Sequence, residues 1–282
     1  MRPGWVRSRP MGAGMMDLKA SPWPTAVLLV GLALLGVGSA AAQSPPKATP
    51  PAAAAPEAPP LEPAALDTLK RMSDLLKSAR SFTFTYRTVH EQVAQTGQIV
   101  DFFHVVKVAL TRPNKLRLDV AGDVRNTILR YDGKVVTLFD PTQNFFAQTD
   151  APATTDETLM MLMEKFQTSF PVAGVLLAEP YEKMRDGLKT AVDLGVVKVD
   201  GVDCRHLLFG EDDADWQLWV EVGKRPLPRR LAVVYKKAPE APRMLAIFSD
   251  WKLNAGVPGN QFVFVKPPQA RQVELKAGVP GN

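Results

Sequence analysis

Residues 81–87 read SFTFTYR and set the pattern of the whole domain. Aromatic side chains alternate with two threonines and an arginine, which is the period of two expected of a half-buried β-strand. The same alternation recurs at residues 116–120, LRLDV. Turn signals separate such runs at short intervals, as in Thr96-Gly97 and Asp132-Gly133. The pattern predicts an antiparallel meander.

A helix is predicted immediately before this first strand. Leu66, Leu69, Met72, Leu76 and Ala79 follow the i, i+3, i+4 spacing that places one apolar stripe on a helix. This stripe indicates that the N-terminal helix packs on the sheet.

A helical insertion interrupts the strands halfway along the chain. Residues 154–157, TTDE, have the spacing of a capping box and precede LMMLMEKF at residues 159–166. Two further short helices are predicted at residues 171–177 and 180–188.

Strands resume after the insertion. They are predicted at residues 191–199, 202–209, 215–221, 227–236, 243–252 and 261–265. With the first set they make about ten to eleven antiparallel strands, a number that favours a strongly curved, half-open barrel holding its helices. The fold class is therefore α+β.

The N-terminal region carries sorting and spacer signals. Basic residues precede the apolar run at 26–37 (AVLLVGLALLGV), and small residues end at Ala42, which predicts a secretory signal peptide over residues 1–42. The alternative, a permanent anchor, would need about 20 apolar residues. Residues 43–63 contain eight prolines and predict a disordered Pro/Ala-rich linker. We expect one domain at 64–275, a disordered tail at 276–282, and a soluble protein in the periplasm.

Charge and cysteine content exclude several classes of protein. The chain has 34 Lys and Arg against 29 Asp and Glu, but four of those basic residues and one acidic residue lie in the signal peptide. The nearly balanced remainder is not the charge pattern of a nucleic-acid-binding domain. The single cysteine, Cys204, excludes an internal disulfide and lies far from the cleavage point where a lipoprotein would need one.

Several strings along the chain resemble a known family. They are RYDG at 130–133, LFDP at 138–141, VDGVDCRH at 199–206, DWQLWV at 215–220, RPLPR at 225–229 and SDW at 249–251. Over residues 66–275 the chain is similar to an uncharacterised bacterial family of predicted periplasmic proteins, domain of unknown function 2092. That family in turn resembles the superfamily of the lipoprotein carriers LolA and LolB and of the sigma-factor regulator RseB.

The resemblance implies a LolA-like half-barrel. Its N-terminal helix and mid-chain insertion would plug the concave face around an apolar cavity for acyl chains. The family has no assigned catalytic residues, so none is expected here.

The methionine-rich helix is the strongest candidate for a ligand site. Its all-round apolar character requires cover on every side, and flexible thioethers suit a variable apolar ligand. Burial completed by residues 171–177 is the alternative. Together with the implied cavity, this predicts a ligand site formed by Leu159, Met160, Met161, Met163, Phe166, Phe82, Phe84 and Trp216.

The strand at residues 102–109 is apolar on both faces, so two layers of cover are expected. Helices or ligand would line the concave face, and a hairpin or the first helix would cover the other. Packing without any ligand is the alternative.

A metal or catalytic site has little support. Cys204 and His206 share a strand face, but zinc takes three or four ligands, and the spacing of His90 and His104 does not bring them close. Residues 211–215, EDDAD, lack the ligand spacing of an EF-hand and predict a solvated hairpin. No nucleophile-elbow, zinc-protease or phosphate-loop motif occurs. We expect no cofactor, no metal and no enzyme activity. A hydrolase that uses His206 is the least supported hypothesis.

Two surface features of the later strands allow a functional or a structural interpretation. Trp216 and Trp219 lie three residues apart, so their side chains fall on opposite faces of the strand. One of them points away from the core and is available to contact a partner or to pack on a neighbouring strand. The basic turn at residues 224–230 suits anionic lipid headgroups or an acidic partner, or simply protects a sheet edge.

The function expected from the sequence is binding of a hydrophobic ligand, an acyl chain of a lipid or lipoprotein, by a monomeric carrier or sensor in the cell envelope. The alternative is an RseB-like regulatory or scaffolding protein that binds another envelope protein.

Overall fold

The computed structural model describes residues 61–275 except 95, 124, 125, 167 and 169. The predicted signal peptide, the first 18 residues of the predicted linker and the predicted tail lie outside the described residues.

The described chain is an α+β domain with one twelve-stranded sheet, ordered β12-β6-β5-β4-β3-β2-β1-β11-β10-β9-β8-β7. The helices are α1 (Pro63–Ser78), α2 (Thr155–Phe166), α3 (Ala173–Leu176) and α4 (Pro180–Arg185). The strands are β1 (Ser81–Val93), β2 (Ile99–Thr111), β3 (Lys115–Gly122), β4 (Thr127–Tyr131), β5 (Val135–Asp140), β6 (Phe145–Asp150), β7 (Thr190–Val199), β8 (Val202–Gly210), β9 (Ala214–Glu221), β10 (Pro228–Tyr235), β11 (Arg243–Leu253) and β12 (Arg271–Gln272).

The sheet is open and curved, and its neighbouring strands are antiparallel except for β12 beside β6. The predicted meander, the first helix and the helical insertion are confirmed. The predicted strand at 261–265 is wrong: Gly259–Gln261 forms a 3-10 turn, and the twelfth strand is the two-residue β12.

Helix α1 begins with Pro63 at its first turn, where the missing N–H costs no hydrogen bond. Its apolar stripe, including Leu69, Met72 and Leu76, is fully buried. Just before it, the Glu62 backbone N–H donates to the Ala191 carbonyl at 2.8 Å. Contact with β7 therefore extends into the last residues of the predicted linker.

The main core lies on the face of the sheet that carries Phe82, Phe84 and Tyr86, which we call the inner face. These side chains form one buried cluster with apolar residues of α1, α2 and α3. Phe84 stacks on Trp251 with ring centroids 4.1 Å apart. The helices thus cover the inner face, as the pattern and the resemblance predicted.

The opposite, outer face is covered in part by the C-terminal segment, residues 254–272. This segment leaves β11 beside β1 and reaches β6, where it pairs as β12. On the way Phe264 packs on Phe139 and Phe146, at 5.7 Å and 5.0 Å between ring centroids.

The prediction that a hairpin or the first helix covers the outer face is therefore wrong. Cover is also incomplete, because Phe103 on the outer face of β2 is 54% exposed. The prediction that both faces of this strand are covered is wrong there, because the C-terminal segment crosses toward β6 and not toward the tip of the β1–β2 hairpin.

Candidate ligand-binding site

Helix α2 begins with the predicted capping box. The Glu157 backbone N–H donates to Thr154 Oγ1 at 3.2 Å, and the Thr154 hydroxyl donates to Glu157 Oε2 at 2.8 Å. This pairing satisfies an N–H group that the first helical turn leaves free.

Contacts with the sheet hold α2 in place. The Thr155 backbone N–H donates to the Pro113 carbonyl at 2.9 Å, and the Tyr131 hydroxyl donates to the Pro152 carbonyl. Leu159 and Leu162 are fully buried in the main core. One side of the helix is therefore a fixed anchor.

The methionines occupy the remaining sides of α2. Met161 and Met163 are half-buried and pack against the core, as does Phe166. Met160 lies about 200° round the helix from Leu162 and is 44% exposed. Within the described residues, the Met160 side of the helix is therefore left only partly covered by protein.

The other predicted ligand residues lie deeper. Phe82 and Phe84 belong to an aromatic group with Phe248 and Trp251. Trp216 is on the inner face, stacked on Phe209 at 4.1 Å between ring centroids. The structure thus places Leu159, Phe82, Phe84 and Trp216 in the core cluster, with Met161, Met163 and Phe166 at its margin and Met160 facing away.

Further side chains that the sequence did not single out lie at the edge of the same core cluster, on β3, β5 and β10 and after α2. They are half-buried, apolar or aromatic, and packed against the core: Val120, Leu138, Phe170, Val233 and Tyr235. We call this set, with Met161, Met163 and Phe166, the apolar margin. Burial raises the pKa of the Tyr235 phenol, so it stays neutral. For the four of these residues that lie in strands, the alternation of apolar and polar residues indicates a side chain that faces the core. No local pattern distinguishes them from other apolar residues as ligand contacts.

Arg112 links the helical insertion to the sheet, and no sequence pattern pointed to this residue. Its guanidinium donates to the Leu176 and Leu177 carbonyls at 3.3 Å and 2.7 Å, and it lies 5.8 Å from the centre of the Phe82 ring. Burial lowers the pKa of Arg112, while the Asp156 and Glu179 carboxylates raise it. Two orphan carbonyls at the end of α3 are thereby satisfied by a side chain of the sheet.

His90 and His104 lie close to each other, which their spacing in the sequence did not indicate. The antiparallel register pairs Thr88 with His104, so His90 falls two residues away on the same face, and the ring centroids are 5.7 Å apart. Gly122 lies opposite His104, where a β-carbon would come within 2.4 Å of the imidazole. Burial, and then the neighbouring His104, lower the pKa of His90.

These histidines do not make a metal centre. The part of the chain that the structure describes contains no group of three or more His, Cys, Asp or Glu that could hold a metal ion. Cys204 is buried, and burial raises the pKa of its thiol. His206 hydrogen bonds to Gln217 at 2.9 Å and stacks on Trp219 at 4.2 Å, so its contacts are those of a packed imidazole.

The charged turns of the second strand set are occupied by local pairs. Glu211 receives a 2.7 Å hydrogen bond from the indole of Trp216. Arg229 pairs with Glu221 at 2.5 Å, and Arg230 lies 5.5 Å from the centre of the outer-face Trp219 ring. These contacts account for the two arginines structurally.

A family model supplies the identification. The model for predicted periplasmic proteins, DUF2092, matches residues 65–276. The chain belongs to this family. The family description places this DUF2092 protein in the periplasm. Among the described helices, none combines the length and the apolar character needed to cross a membrane.

Three solved structures are among those similar to this DUF2092 protein. A LolA superfamily protein from Nitrosomonas europaea has 11% identity and a TM-score of 0.35, covering 71% of this chain and 97% of that one. The lipoprotein LppX from Mycobacterium tuberculosis has 13% identity and a TM-score of 0.40, covering 70% and 98%. MucB, solved in complex with MucA(peri), has 13% identity and a TM-score of 0.36, covering 71% and 60%. No curated protein sequence matches the chain.

Proposed function

We propose that this periplasmic protein binds a hydrophobic ligand, an acyl chain of a lipid or lipoprotein, and carries or senses it. The observation that supports this most directly is the set of methionines on α2. Met160 is 44% exposed, and Met161 and Met163 keep part of their surface free beside the core. Flexible, polarisable side chains at a partly open surface suit an apolar ligand of variable shape.

The half-buried side chains of the apolar margin offer apolar contact to such a ligand. Each methylene transferred from water to an apolar surface contributes about 0.8 kcal/mol. An acyl chain that buries about ten methylenes would therefore gain about 8 kcal/mol, from which the cost of association and of immobilising the chain is subtracted. A ligand needs to cover only the half-exposed side chains, and the fully buried Leu159 and Leu162 would stay in place.

A second candidate is binding of another envelope protein, in a regulatory or scaffolding role. The end of the β1–β2 hairpin supports it, because Ile99 and Phe103 are 56% and 54% exposed. Large apolar side chains left open in one region often mark a protein contact.

Lipid mass spectrometry of protein purified gently from the periplasm tests the proposal. Acyl species at one per protein are expected, and the double variant M160S/M163S should carry much less. The matched control is V265S, which changes a residue that is 78% exposed and lies in the C-terminal segment, away from α2. An empty wild-type protein with a co-purifying polypeptide would favour the second candidate, and equal acyl content in all three proteins would contradict the proposed site.

A further inference from the structure

The outer face of the sheet carries a polar groove of about 620 Å³, separate from α2 and the apolar margin. We call it the outer groove. Its polar lining residues are Thr83, Thr85, Lys107, Arg117, Asp119, Asp250, Lys252 and Gln261.

The register of three strands builds the floor of the groove. Thr85 in β1 pairs with Lys107 in β2, and Lys107 pairs with Asp119 in β3. Alternation turns these side chains away from the core, since their neighbours Phe84 and Val108 face inward.

An irregularity and a turn complete the walls. The pairing of β1 with β11 shifts between Thr83 and Thr85, and Asp250 at this bulge has a φ of 58°. A bulge of this kind bends the strand and changes the direction of its side chains. On the other side Gln261 ends the 3-10 turn of the C-terminal segment, which is anchored next to it by Phe262, 1% exposed.

Three basic side chains line the groove, Lys107, Arg117 and Lys252, against the two carboxylates Asp119 and Asp250, and Arg130 adds a positive charge beside it. Arg117 holds Asp119 through two hydrogen bonds of 2.8 Å, and Arg130 lies directly opposite Arg117 in the next strand. Within the described residues, the ion pairs closer than 4.0 Å include neither Lys107 nor Lys252.

Arg130 has an unpaired donor beside the groove. Its Nε is buried and has no hydrogen-bond partner among the described residues. Burial, and then the charge of Arg117, lower the pKa of Arg130, and Asp119 opposes the change. Like charges placed directly opposite across two strands destabilise a sheet unless an anion offsets them.

We propose that the outer groove binds a phosphate group, either free phosphate or the headgroup of an anionic lipid. Arginine forks and lysine ammonium groups are the side chains that proteins use to hold phosphate oxygens. The threonine hydroxyls on the floor are further donors. Because the groove lies on the opposite face from α2, this site is independent of the proposed acyl-chain site.

Titration of the full protein with inorganic phosphate at low ionic strength, followed by calorimetry, tests the proposal. The wild-type protein should bind phosphate in preference to chloride, and K107Q/K252Q should bind at least tenfold more weakly. The matched control K134Q/K183Q changes two exposed lysines outside the groove and should bind like the wild type. Absence of phosphate binding by the wild type, together with absence of binding to the vesicles described below, would overturn the proposal, as would an unaltered affinity of K107Q/K252Q.

A second variant gives a result that misfolding cannot imitate. D119N removes the carboxylate that competes with phosphate for Arg117, so phosphate binding should become several-fold tighter. Weaker binding by a folded D119N protein would overturn the proposal. Sedimentation with vesicles of phosphatidylglycerol, compared with phosphatidylcholine, separates the two sources of phosphate. Vesicle binding without binding of free phosphate assigns the groove to a headgroup, and binding of free phosphate that displaces the vesicles assigns it to the free anion.

Discussion

The two half-buried methionines of α2 offer the sharpest test of the ligand site, through the double variant M161S/M163S. Full burial of a methionine side chain contributes about 1.5–3 kcal/mol to the free energy of unfolding. Both side chains are partly exposed, so we expect each change to cost about 1–2 kcal/mol and the pair about 2–4 kcal/mol.

A matched control lies between them on the same helix. Leu162 is fully buried in the core, and L162A should lose about 2–5 kcal/mol through lost burial and the cavity left behind. The two variants should therefore lose similar stability in urea unfolding, which removes general destabilisation as an explanation for any difference in binding.

Binding should separate the two variants. Titration with a fluorescent fatty acid, under conditions where both are folded, should show at least a tenfold loss of affinity for M161S/M163S, because ligand contacts are removed. L162A should stay within about threefold of the wild type, since its side chain faces the core. If M161S/M163S keeps full binding while losing stability, its methionines are ordinary core residues and the reasoning fails.

Three further outcomes are expected. N-terminal sequencing of the periplasmic protein should find a start within a few residues of Gln43, whereas an intact first methionine in the membrane fraction would indicate an anchor. A chain beginning at Leu61 should keep its thermal midpoint within a few degrees, and one beginning at Ala64 should melt lower because the hydrogen bonds of residue 62 to β7 are lost. The pKa of His90 is lowered from 6.5 by burial and by His104, so the unfolded chain takes up the proton first as the pH falls. Wild-type stability should therefore decrease below about pH 6.5. Between pH 8 and pH 5 the urea midpoint of H90Q should fall less than that of the wild type. Equal decreases would show that His90 is not the group responsible.

Local patterns in the sequence determined most of the secondary structure. The alternation of Phe82, Phe84 and Tyr86, the stripe of α1 and the capping box at Thr154 each depend on residues close together in the chain. Their conformations follow from pleat, helix period and backbone hydrogen bonding, which a short stretch of sequence already specifies. The family resemblance added the arrangement of helices on one face, and the family assignment is confirmed by the match over residues 65–276.

Contacts between distant segments could not be predicted in this way. Residues 261–265 have the composition of a strand, but the edge available to the C-terminal segment is that of β6, so only Arg271 and Gln272 pair there. The approach of His90 to His104 depends on the register of a hairpin, which a shift of one residue would reverse.

The same distinction between local patterns and long-range contacts applies to the candidate functional side chains. The sequence alone identified the methionines of α2 as candidates, because an apolar helix stands out by composition. Only the tertiary structure decided which of them face the core, since that depends on how α2 docks on the sheet. It also decided that Lys107, Arg117 and Lys252, from three different strands, share one groove, because strand register and the path of the C-terminal segment bring them together.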